Sequence, residues 1–233
     1  MTPATPHPDL GEHARRITSI AATGLAGTPA LSDTPPDDRL AYLNGFRDEF
    51  LNRRATDRPL LARVLGVDPG PAPGRADAPA RAWWALHDRS LDPADFLPGL
   101  DADPEGPLVH DPNDSSVAIE WRTLDELAAL HALWDLSGER ARADWRARCL
   151  GAARWHLGEL QPDNATNQPW AVHVFLVLAA VDPDADTRAG ASFHAQTLLH
   201  ACQVQQGRPD LVSGFVLLDA ARMLEREARR SDG

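Results

Sequence analysis

Lysine is missing altogether. The 233 residues carry 23 basic side chains, and every one is arginine. That removes the Schiff-base nucleophile, the lysine of a phosphate-binding loop and the lysine general base from the chemistry open to this chain. Cysteine is nearly absent. Cys149 and Cys202 are too few for a disulfide framework and read as reduced, buried thiols of a cytosolic protein. No uninterrupted apolar run reaches the roughly 18 residues that a membrane-crossing helix needs. The opening residues hold no apolar h-region, so no secretory leader is expected and a cytoplasmic location is. Basic charge is also scarce against 34 acids, which leaves a net charge of −11. Nucleic acid and anionic membranes both call for a concentrated basic face, so neither is expected as a partner.

What is present is distributed unevenly. Sixteen of the 20 prolines fall in residues 1–120, which also hold 19 acids and 11 arginines. Apolar spacing still predicts helices in this interrupted half. One covers about 8–22, through Leu10, Ile17 and Ile20. A second covers about 37–54, through Leu40, Leu43, Phe46 and Phe50. A short third opens at Asp57-Arg58-Pro59 and closes at Gly66. Residues 67–80, rich in proline and glycine, read as a linker or long surface loop. A helix follows around Trp83, Trp84 and His87. Residues 91–120 read as irregular, with Ser116–Trp121 extended.

Beyond residue 120 the pattern becomes continuous. Thr123-Leu-Asp-Glu126 has the spacing of a capping box and predicts a helix start there. Ser137-Gly138 predicts a tight turn, followed by a long helix over about 139–160. The stretch Trp170–Val181 is apolar all round, which places it at the centre of the core. Two more helices follow, over about 186–206 and 209–229. Short connections make neighbours antiparallel. The fold class is therefore all-α: stacked antiparallel αα-hairpins, as an irregular bundle or a partial α/α-toroid, with a proline-rich, irregular N-terminal half. The expected organisation is a helical segment over 1–66, the linker over 67–80 and a main helical domain over 81–233.

The candidate site centres on residues 155–173. His156 lies about one turn before the loop 161–168 and His173 about one turn after it. In an antiparallel hairpin those levels coincide. The loop carries Asp163, Asn164 and Asn167, all able to hydrogen-bond, and Trp155 and Trp170 flank it. A polar cluster walled by indoles suits a polar small molecule or a saccharide. His156 and His173 are the candidate acid/base groups, because histidine alone has an unperturbed pKa near neutrality. Asp163 joins them as a candidate catalytic acid. Asn164, Asn167, Trp155 and Trp170 are candidate ligand contacts. So are His131, His200 and Gln203, which lie on helical stripes that would line a cavity if they faced inward. Asp163, Asn164 and Asn167 are also ordinary turn and cap residues.

Metal sites are poorly supported. There is no HExxH and no CxxC. Asp101–Gly106 has the first half of an EF-hand loop, but Pro112 stands where the bidentate glutamate belongs. Asp182, Asp184 and Asp186 read as helix caps. His110-Asp111 faintly resembles the histidine–aspartate pair of metal-dependent phosphohydrolases, but Pro112 follows it at once and its surroundings are irregular. No metal and no cofactor is expected. Asp219 on the last helix, flanked by Val216 and Met223, reads either as a semi-buried, perturbed acid or as a capped or salt-bridged edge residue. The primary functional expectation is a helical protein that binds a polar small molecule or saccharide, with histidine acid/base chemistry. The alternative is a non-catalytic helical scaffold that binds a protein partner.

Overall fold

The computed structural model describes residues 9–25, 28, 34–111, 113, 114, 116–160, 168–202, 204, 208 and 210–231. These residues form nine α-helices and no strand. In chain order they are α1 (Leu10–Gly24), α2 (Pro36–Gly45), α3 (Asp57–Leu65), α4 (Ala78–Trp84), α5 (Ile119–Glu139), α6 (Ala143–Glu159), α7 (Val172–Val181), α8 (Ala185–Ala201) and α9 (Leu211–Ser231). Among the described residues no helix is long and apolar enough to cross a membrane.

The all-round apolar segment becomes α7, with Val172 to Ala180 buried without exception. It packs against α5, α6, α8, α9 and α1. α5 pairs with α6 and α7 with α8, as their short connections require. α1 lies along α9, and α3 also packs on α9. One apolar core therefore runs from Leu10 to Leu224. Side-chain caps set several helix starts. The Asp9 carboxylate accepts the N–H groups of Gly11 and Glu12, Asp77 that of Ala80, and Asp184 that of Thr187. The Asp77 cap draws the last three residues of the expected linker, 78–80, into α4.

Four predicted boundaries move, the first three for a local reason. The helix expected over 37–54 stops at Gly45. Past it the Asp48 carboxylate accepts the N–H groups of Phe50 and Asn52, building a turn with Leu51 at φ 66°. α5 starts at Ile119, so Trp121 is helical rather than extended, and Thr123 is not its cap. The Thr123 hydroxyl donates back to the Ile119 carbonyl, 2.7 Å away. Ser137 and Gly138 stay inside α5, where the Ser137 hydroxyl donates to the Trp134 carbonyl. The chain turns instead at Ala141, φ 54°, and α6 begins at Ala143. α8 ends at Ala201, short of the expected 206.

Candidate functional site

The structure separates the two histidines that the hairpin argument brings together. His173 packs edge-on against His131, with ring centroids 4.3 Å apart. His156 packs against Phe175 and His194, at 6.0 and 6.3 Å. His173 and Phe175 are two positions apart on α7, and a helix turns about 200° over two residues. His156 and His173 therefore serve opposite sides of α7. The level was legible in the spacing; the angle around the helix was not used.

Both rings are sealed. His156 is 1 % exposed and His173 0 %, and no protein group among the described residues hydrogen-bonds either nitrogen of either ring. Burial, then the neighbouring His194, pulls His156 down to about 3. Burial, then His131, pulls His173 well below the ordinary histidine range. Both are neutral at neutral pH and face no open cleft. Burial likewise lowers His194 to about 4. On α8 it is His194 that faces the core, while Gln196 and His200 face outward. Asp163, Asn164, Asn167 and Gln203 lie outside the described residues.

His131 belongs to a buried polar network that ties α3, α5 and α9. Arg63 Nη2 lies 3.0 Å from Asp135 Oδ2, and Arg63 Nε donates to Asp219 Oδ1 at 3.1 Å. The guanidinium also meets Glu139, and His131 Nε2 lies 3.4 Å from Asp219 Oδ2. Burial pushes the Asp135 carboxyl well up, and Arg63 opposes this without reversing it. Burial works the same way on Asp219, but there Arg63 and the His131 contact win and hold it below the usual carboxylate range. Asp219 was marked by its sequence neighbours. Asp135, one turn beyond His131 on α5, was missed, though the i, i+4 spacing was there to be read.

The ligand atoms of His131, Asp135 and Asp219 lie within 4.8 Å of one another. They nevertheless do not make a metal site. The Ala171 N–H donates to His131 Nδ1 at 3.2 Å, so the ring proton sits on Nε2, the nitrogen a metal would need bare. The Arg63 guanidinium already holds the cation's place.

The accessible chemistry lies elsewhere, on the irregular loop 98–111. Two buried charges from the helices hold this loop by its main chain. Arg148 on α6 donates to the carbonyls of Gly99, Pro104, Gly106 and Pro107, at 2.8–3.3 Å. Glu126 on α5 accepts the N–H groups of Leu108, Val109 and His110, at 2.6, 2.9 and 2.8 Å. This is why Glu126 takes no part in a capping box. Gly151 lets the loop seat on α6, since a Cβ there would run into the Pro104 carbonyl. The EF-hand-like stretch is thereby spoken for: carbonyls that could face a cation face an arginine.

The loop forms one wall of a cleft of about 350 Å³. Trp155 forms the facing wall, and His110, Asp103 and Asp111 supply its polar groups. His110 Nε2 lies 3.0 Å from Asp125 Oδ2. Burial raises the Asp125 carboxyl, and the His110 bond works against that rise. With Nε2–H donated to the carboxylate, Nδ1 is left as a lone-pair base. Trp155 thus lines a cleft walled by loop 98–111, with none of the other expected site residues in its lining, and not one shared with Trp170. Trp170 is 1 % exposed, donates from Nε1 to Gln168 Oε1, and borders a second cleft of about 210 Å³. Asp125 borders that second cleft too, so the His110–Asp125 pair stands between the two.

Compared with known families, curated proteins and solved structures, the chain matches none of them.

Proposed function

We propose that this protein binds a small polar molecule, a saccharide ring by preference, in the cleft between loop 98–111 and Trp155, with His110 as the group that exchanges protons with it. One observation carries the reading: a histidine oriented by a carboxylate shares a cleft with a half-buried tryptophan and two further acids. A sugar offers an apolar C–H face to an indole and hydroxyls to carboxylates. The cleft volume lies in the usual range for small-molecule sites. Clamping of the loop backbone by Arg148 and Glu126 supports the reading, because a binding wall works best when its shape exists before the ligand arrives. The sealed histidines, His156 and His173, take no part. The same reading places the protein in the cytoplasm, where Cys149 and Cys202 stay reduced.

The test is a thermal-shift screen of mono- and disaccharides on the wild type, His110→Ala and Trp155→Ala. A native-state ligand raises the melting temperature by mass action. The expected result is a saccharide that stabilises the wild type and no longer stabilises Trp155→Ala. A panel without any shift, or a shift that survives both substitutions, overturns the reading.

A further inference from the structure

Among the described residues seven large apolar side chains are exposed, and four of them, Phe50, Leu51, Ile119 and Trp121, belong to two segments that meet at one cleft. The first segment is a knob. Asp48 N–H donates to the Asn52 carbonyl and Leu51 N–H to the Asp48 carbonyl, both at 2.9 Å. The Asp48 carboxylate, itself buried, takes the N–H groups of Phe50 and Asn52. These four bonds hold Leu51 at φ 66°, a left-handed conformation that a leucine adopts only under constraint. The outcome is a rigid turn with Phe50 66 % and Leu51 80 % exposed. Arg47, Arg53 and Arg58 are its basic neighbours, Arg53 lying within electrostatic reach of the other two, and Glu49 is an exposed acid within the turn. Partial burial, then repulsion from Arg58 and Arg47, lowers Arg53. Their guanidinium groups donate to the oxygens of Phe46, Leu43, Asn44 and Pro69, and none of them forms an ion pair with a carboxylate among the described residues.

The second feature is a socket. Three residues past the knob, Arg54, Ala55 and Thr56 form one wall of the cleft of about 210 Å³. Trp121 stands at the opposite wall, 63 % exposed, and Asp77 and Asp125 give the rim its acids. An apolar knob with arginine neighbours and an apolar socket with Asp77 and Asp125 on its rim thus lie three residues apart along the chain, and the one arginine lining the socket, Arg54, is bonded to Gln168. Self-complementary patches of this kind close on themselves when two copies meet across a twofold axis.

We infer that two copies of this chain form a twofold dimer in which Phe50 and Leu51 of each copy enter the Trp121-walled cleft of the other, with the knob arginines facing the Asp77 and Asp125 carboxylates. A second copy fits better than a lipid surface. A fluid bilayer has no use for a pre-shaped turn, whereas a second copy offers it a pre-shaped cleft with two fixed carboxylates; the net charge of −11 opposes both occupants alike. The dimer and the saccharide site meet only at Asp125, which borders the socket and pairs with His110; Phe50, Leu51 and Trp121 lie outside the Trp155 cleft, so substituting them tests the dimer alone.

Sedimentation velocity from sub-micromolar to hundred-micromolar concentration tests it. The wild type is expected to pass from monomer to dimer. The double variant Phe50→Ser, Leu51→Ser and the single variant Trp121→Ser are each expected to stay monomeric, with unchanged circular dichroism, since all three side chains are exposed. Mixing the two variants is the decisive arm. Each homodimer lacks both contacts, whereas the mixed dimer regains one, from the intact knob of one variant to the intact socket of the other. Association should therefore reappear on mixing. A wild type that is monomeric throughout, a dimer that survives the knob substitutions, or a mixture that stays monomeric overturns the inference.

Discussion

The Ala171 N–H and His131 Nδ1 are hydrogen-bonded at 3.2 Å, and that bond decides which ring nitrogen carries the proton. With the proton on Nε2, His131 turns an N–H rather than a lone pair toward Asp219. The cluster is then a charge network closed around Arg63. Metal removal should have no consequence: dialysis against a chelator leaves the melting temperature unchanged, and added zinc or manganese does not raise it. A metal-dependent rise that disappears in His131→Ala would show the tautomer assignment to be wrong.

The network also predicts an order of costs. Arg63→Met strips three carboxyl groups of their cation, and breaking a buried pair in this way costs about 3–5 kcal/mol. Asp219→Asn removes the ionised partner and should cost somewhat less, because Glu139 still faces Arg63. Burial raises the Asp135 carboxyl and so weakens its hold on a charge, so Asp135→Asn should cost least, about 1 kcal/mol. Urea denaturation at neutral pH measures all three. If Asp135→Asn proves the most damaging, the charges are assigned to the wrong residues.

Acid sensitivity follows from the sealed histidines. His156 titrates near 3 in the folded chain, against an ordinary value of 6.5. Between those values the unfolded chain holds the proton and the folded chain does not. Stability therefore falls as the pH falls. The His156 contribution is complete above about 6.5 and is lost through the window down to about 3. In His156→Leu the His156 share of this sensitivity should vanish while those of His173 and His194 remain, and the variant should gain on the wild type by on the order of 4 kcal/mol across the window. Denaturation curves at several pH values supply the comparison. Parallel pH dependence in the two proteins would mean that His156 reaches water in the folded state.

Arg148→Met is expected to free the wall of the Trp155 cleft. Four carbonyls lose one shared donor, and hydrogen exchange of residues 99–110 should speed up well before global unfolding. Exchange elsewhere, in α7 for example, should change little. Uniform acceleration across the chain would mean that Arg148 supports the whole core rather than the loop.

The sequence was readable where a local rule also decides the outcome. The all-round apolar run at Trp170–Val181 had to be buried, and it is from Trp170 to Ala180, with only its last residue, Val181, exposed. Asp184 read as a cap, and it is one. Reading failed where a distant partner takes over a local signal. Thr123 and Glu126 have capping-box spacing, but Glu126 is claimed by the backbone of residues 108–110. Arg63 finds Asp219 across 156 positions, and no pattern in a short window could announce that pair. The histidines failed for a different reason: hairpin register fixes height along the helices, whereas contact depends on rotation about them. The His110–Asp125 pair was passed over because it joins an irregular loop to a helix.

Arg148 and Glu126 grip the loop 99–110 entirely through main-chain carbonyls and N–H groups, which every residue type except proline supplies in full. Most of its side chains are thereby released from the job of shaping it. Ala102 can be exchanged while the wall keeps its course; Asp103 and Asp111 also accept the N–H groups of Glu105 and Asn113, and Gly99 cannot be exchanged, because a Cβ there would strike the Pro107 carbonyl. Such a surface can change what it selects without refolding, in the way that a fixed frame accepts different panes.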